Sequence, residues 1–155
     1  MTLHGDHANV IYQIPAHAKN VSLMFLHGAG QSMRTWQTTP DGREGFQSVF
    51  RRKGYPVYLI DQPRRGDAGR ATVDGTIKAS PDEQFWFGQF RMGLWPKFYD
   101  NSAFASQKDL NSFWRQMTPN TAPYNDKVIA DAVTDALQKT EGTVLVTHSQ
   151  GCGPG

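Results

Sequence analysis

The sequence predicts an α/β fold built on a doubly wound, mostly parallel sheet, and three observations carry that reading. Short runs of near-consecutive apolar residues, VSLMFL (21–26), PVYLID (56–61) and TVLVTH (143–148), have the length and composition of strands covered on both faces. Between them lie stretches with helical apolar spacing, most clearly DKVIADAVTDALQK (126–139). The 155 residues also include 15 glycines and 9 prolines but only 38% apolar residues, so turns and loops are plentiful, as in a catalytic scaffold rather than a bundle. A chain of this length supports one core.

Taken in order, NVIYQI (9–14) alternates apolar and polar residues and meets Pro15, which predicts an edge strand or a hairpin arm near the surface. VSLMFL follows and stops at His27-Gly28. TTPDG then forms a turn, and a helix around residues 44–53 places Phe46, Val49 and Phe50 on one face before Gly54 ends it. PVYLID is the second buried strand. Asn125 caps the helix whose stripe is Val128, Ile129, Ala132, Val133, Ala136 and Leu137, and TVLVTH is the third buried strand. In such sheets ligands sit beyond the carboxyl ends of the strands, from which HGAGQS, DQPRRGDAGR and HSQGCG emerge.

Residues 71–124 are too long for a plain crossover and read as a cap-like insertion. Ser80-Pro81-Asp82-Glu83 opens a helix that places Trp86, Phe90 and Leu94 on one face before Pro96. Seven of the 15 residues from Phe85 to Tyr99 are aromatic. Such rings either fix the insertion to the domain, the favoured reading, or wall an apolar substrate pocket. Leu110, Phe113, Trp114 and Met117 form a second stripe with the same two readings.

Charge and composition narrow the function. Lys and Arg number 16 against 14 Asp and Glu, with both signs scattered, so neither a nucleic-acid nor a membrane partner is expected. Cys152 is the single cysteine, which excludes an intrachain disulfide. The first residues show no basic start followed by an apolar stretch, and the default expectation is a cytoplasmic protein. His4, His7 and His17 lack metal-ligand spacing and read as ordinary surface histidines.

The chemistry centres on Ser149. A serine hydroxyl is a weak nucleophile, so the fold must project it where a base reaches its proton and where N–H donors meet the developing oxyanion. A strand–turn–helix elbow does this, and it demands small neighbours, hence the G-x-S-x-G pattern. Here the residues are Thr147-His148-Ser149-Gln150-Gly151, with Gly151 fitting and Thr147 standing where glycine is usual. An earlier strand ends in His27-Gly28-Ala29-Gly30, the kind of loop that supplies a second oxyanion amide. Ala29 is the first choice for that amide and Gly30 the second, with Gln150 providing the other.

These segments, HG followed by WQTTPDGREGF, RRKGYPVYLIDQ and GTVLVTHSQ, resemble the α/β-hydrolase superfamily, and within it a small group of bacterial serine esterases. The resemblance runs from about Val21 to Gly151. It implies carboxylic-ester hydrolysis of a small-molecule substrate, with Ser149 as nucleophile, the amides of Ala29 and Gln150 as oxyanion hole, and no cofactor. Other members carry two adjacent cysteines where this sequence has Ala29-Gly30, so nothing tied to a vicinal disulfide transfers. The superfamily order is Ser, then Asp or Glu, then His. The expectation is therefore an incomplete, N-terminal part of one hydrolase domain over residues 1–155, inactive alone, with the acid and histidine in a further segment or a second chain. His27 ends its strand where an oxyanion-loop support usually lies, and His148 is expected on the face opposite Ser149. Asp61, Arg64 and Arg65 are expected to be structural.

Two other functions compete. A non-catalytic binding protein or inactive fragment could keep this fold. A nucleotide-binding domain would need a phosphate loop, but GAGQSM and GCGPG do not complete G-x-G-x-x-G and no G-x-x-x-x-G-K-[ST] occurs.

Overall fold

The computed structural model describes residues 1–79, 82–104 and 106–155. A four-stranded sheet forms from β1 (Asn9–Gln13), β2 (Ser22–Leu26), β3 (Val57–Asp61) and β6 (Thr143–Thr147), in the spatial order β1-β3-β2-β6. The three apolar runs pair in parallel, Leu26 opposite both Ile60 and Thr147, whereas β1 joins β3 antiparallel. The sheet is thus mixed but mostly parallel.

Alternation along the central strands sends side chains to two faces. Leu23, Phe25, Val57 and Leu59 meet Met33, Trp36 and Phe50 on one face. Met24, Leu26 and Ile60 meet Ile129 and Val133 on the other. Every residue of β2 is buried, as its apolar run requires. The third run differs from expectation: β6 is half-buried, with Val144 51% exposed, because it pairs only with β2 among the described residues.

Helix α1 (Phe46–Arg52) ends before Gly54, whose φ of 86° lies in the left-handed region that glycine tolerates. Phe46 and Phe50 share a face as expected, their rings 6.1 Å apart and both against Phe25. Gln47 is buried while Phe46 stays exposed and stacks on Trp36. Helix α4 (Asp126–Gln138) begins as its sequence requires, with the Asn125 side chain accepting a hydrogen bond from the Val128 amide at 3.1 Å.

The insertion has a small core of its own. Helix α2 (Asp82–Gln89), the hairpin β4 (Gly93–Leu94) and β5 (Lys97–Phe98), and helix α3 (Gln107–Gln116) bury Phe87, Met92 and Leu110 together. The Ser80-Pro81 helix start lies outside the described residues. Helix α2 stops well before Pro96, so Leu94 is not on its face and is instead 73% exposed in the hairpin. Phe87 rather than Trp86 and Phe90 joins this local core. Ser106 caps α3 by accepting from the Asp109 amide at 3.2 Å.

Candidate active site

The parallel strands end together, and their loops meet around position 149. Ser149 follows the end of β6 with only His148 between, is exposed, and has φ of 53° at the start of a 3-10 turn, Ser149–Cys152. Few non-glycine residues adopt that conformation, which costs about 1–3 kcal/mol and must be held by its surroundings. Gly151 shows how: a Cβ there would lie 2.7 Å from the His27 carbonyl oxygen, so only glycine lets the turn pass beneath the end of β2. At the other end of the motif Thr147 is accommodated by its neighbours. Its hydroxyl bonds Cys152 Sγ at 3.2 Å, and a Cβ at Gly155 would come within 2.5 Å of its methyl group.

The glycine loop after β2 lies against this turn. A Cβ at Gly28 would sit 3.0 Å from both Ser149 Cβ and His148 Nδ1. His148 and Ser149 therefore line one cavity, contrary to the alternation expected of adjacent strand residues. The positive φ of Ser149 ends that alternation. Gln31, which sequence reasoning passed over, joins the two segments. Its Oε1 accepts from the Gly28 amide at 3.0 Å and from His148 Nδ1 at 3.1 Å. Two donors converge on one oxygen, which places the proton of His148 on Nδ1.

His27 is fully buried behind the loop. Its Nδ1–H donates to the Gly28 carbonyl at 3.0 Å and its Nε2 accepts from the Gln62 amide at 3.2 Å, so the ring is neutral with both nitrogens engaged. Burial is the main cause that pulls its pKa down to about 4. Asp61 lies 3.9 Å from Nε2 but spends its oxygens on the amides of Met33 (2.6 Å) and Asp67 (2.9 Å), tying the first loop to the second. Burial pushes its carboxyl above the usual value. Arg65 is buried and donates from Nη1 to the Gly28 carbonyl at 2.9 Å and from Nε to Asn120 Oδ1 at 2.9 Å. Arg64 forks onto Asp6 at 2.7 and 2.9 Å, so both arginines are structural here.

Among the described residues no protein acceptor meets the amides of Ala29, Gly30 or Gln150. Gly30 has φ of 65°, its carbonyl accepts from the Thr118 amide at 2.8 Å, and any side chain on it would overlap Met117 Cε. Beside Ser149 opens a cavity of about 210 Å³ bounded by Trp86, Phe90, Phe113 and Met117. The aromatic residues thus divide: Phe87 packs within the local core of residues 87–114, and Trp86 and Phe90 face the site. No sequence signal separates these roles, because both stripes carry the same residue types. Among the described residues no group of three or more His, Cys, Asp and Glu side chains could hold a metal ion.

This arrangement has relatives among known proteins. No family model matches the chain. A solved bacterial esterase superposes with a TM-score of 0.78 at 31% identity, over 92% of this chain and 50% of that one. The chain is homologous to part of that α/β-hydrolase esterase. A fungal protein named "Probable secreted lipase phiG" (Fungal sp., strain ATCC 74256) is 30% identical over 137 residues, which are 83% of this chain and 38% of that protein. The chain therefore spans half or less of the length of the relatives it matches. No helix among the described residues is long and apolar enough to cross a membrane.

Proposed function

We propose that this chain carries the nucleophile and the oxyanion hole of a serine ester hydrolase. The observation that supports this best is the strained, exposed Ser149 packed against the Gly28 loop in a fold shared with an esterase. In the proposed reaction Ser149 Oγ attacks the acyl carbonyl carbon and yields its proton to a histidine base. The carbonyl oxygen becomes an oxyanion held by the N–H groups of Ala29 and Gln150, with Gly30 the alternative to Ala29. Collapse expels the alcohol, which takes the proton, and water then releases the acyl group by the same steps.

The general base and its carboxylate partner come from outside residues 1–155, in a further segment or a second chain, and residues 71–124 act as a cap over the site. His27 is unsuited to the role of base because both ring nitrogens are committed behind the loop. The test is covalent labelling of the protein in its longest natural form with a fluorophosphonate, followed by peptide mapping. The expected result is a single adduct on Ser149 that Ser149→Ala abolishes. Labelling that survives this substitution would remove the assignment.

A further inference from the structure

The cavity beside Ser149 is mostly apolar, with Gln31, His148 and Ser149 on its polar side. Trp86 stacks on Phe90 at 5.1 Å with an interplanar angle of 15°, and Phe90 meets Phe113 edge-on at 6.3 Å. These pairs form one continuous aromatic wall. Met117 forms the opposite wall, and the backbone beside it is fixed. The adjoining Thr118 donates from its amide to the Gly30 carbonyl at 2.8 Å and from its hydroxyl to the Gln31 carbonyl at 3.1 Å, which stitches the end of α3 to the glycine loop. The resulting space is about 210 Å³. An apolar cavity of about 150 Å³ accepts benzene, so this one has room for an aromatic ring with a short linker, and its flat Trp86–Phe90 wall suits a ring better than an alkyl chain.

Across the Ala29–Gly30 loop the surface changes character. The recess there mixes Ile77, Met117 and Pro119 with Lys78, Asn120 and Gln150, and Gln150 Oε1 is buried without a partner among the described residues. An apolar chain threaded past the loop would leave Gln150 Oε1 unpaired, which is unfavourable. The two sides of the elbow therefore select for different halves of a substrate.

Resting on the esterase reading above, we infer that the substrate is an ester with one compact apolar group of aromatic-ring size, received by Trp86, Phe90, Phe113 and Met117, and a polar remainder. The test compares acetamide, N-benzylacetamide and N-octylacetamide, which are not ester substrates, by calorimetric titration of the protein in its longest natural form. N-benzylacetamide is expected to bind at least about tenfold more tightly than the other two. Phe90→Ala, at a position already 48% exposed and so compatible with folding, is expected to remove most of that preference. Equal or tighter binding of the octyl compound, or an unchanged preference in Phe90→Ala, would overturn the inference. Labelling with benzyl- and octyl-substituted fluorophosphonates separates the two readings. Faster labelling of Ser149 by the benzyl probe supports both, and equal rates for the two probes overturn the pocket while sparing the hydrolase. Benzyl binding without any labelling of Ser149 overturns the ester.

Discussion

Ser149 stands at φ of 53° because Gly151 passes under the His27 carbonyl and Gly28 leaves room for the serine itself. Adding one methyl group tests this support. Gly151→Ala forces the His27 carbonyl to shift and is expected to cost about 2 kcal/mol or more in urea denaturation, with loss of labelling at Ser149. A stable, fully labelled variant would show that the turn does not depend on that close approach. His27 makes a second prediction. Its ring stays neutral in the fold down to about pH 4, whereas the unfolded chain protonates it near 6.5. Stability is thus intact above pH 6.5 and falls as pH drops toward 4, by up to about 3 kcal/mol. Asp61, with its raised pKa, works in the opposite direction at the acid end of that window. Denaturation midpoints at pH 7 and pH 5 should diverge in the native protein and converge in His27→Asn; parallel pH dependence in both would refute the assignment.

The elements obey local rules, which is why most of them were legible. Strands β2 and β3 follow from unbroken apolar runs, and α4 from its stripe and the Asn125 cap. Asn125→Ala is expected to cost about 1 kcal/mol, and Ser106→Ala a similar amount at α3, both read from thermal unfolding. The Ser106 change should also weaken binding of apolar compounds beside Ser149, because α3 carries Phe113 and leads into Met117. Unaltered binding would separate α3 from the site. What the sequence concealed depends on long-range partners. The inward side of α2 is decided by Leu110 and Met92, which take Phe87 into their cluster. The link made by Gln31 is equally invisible, since its partners Gly28 and His148 are 120 residues apart in the chain.

Across the whole molecule, a mostly parallel sheet gathers three loops at one end, where Asp61, Arg65 and Gln31 bind them to each other. The same sheet leaves β6 paired on one side only among the described residues, with Val144 half exposed. Such an edge is a template for further pairing. A preparation of residues 1–155 is expected to self-associate in light scattering, and Val144→Lys to reduce this; a monodisperse native sample would contradict it. The central claim concerns how the first and third loops cooperate on one reacting atom. It is tested most directly by the structure of the protein in its longest natural form with a phosphonate bound. The account predicts phosphorus bonded to Ser149 Oγ and one phosphonyl oxygen about 3 Å from the amide nitrogens of both Ala29, or its neighbour Gly30, and Gln150. A phosphonyl oxygen turned away from these amides, or an adduct on another residue, would contradict it.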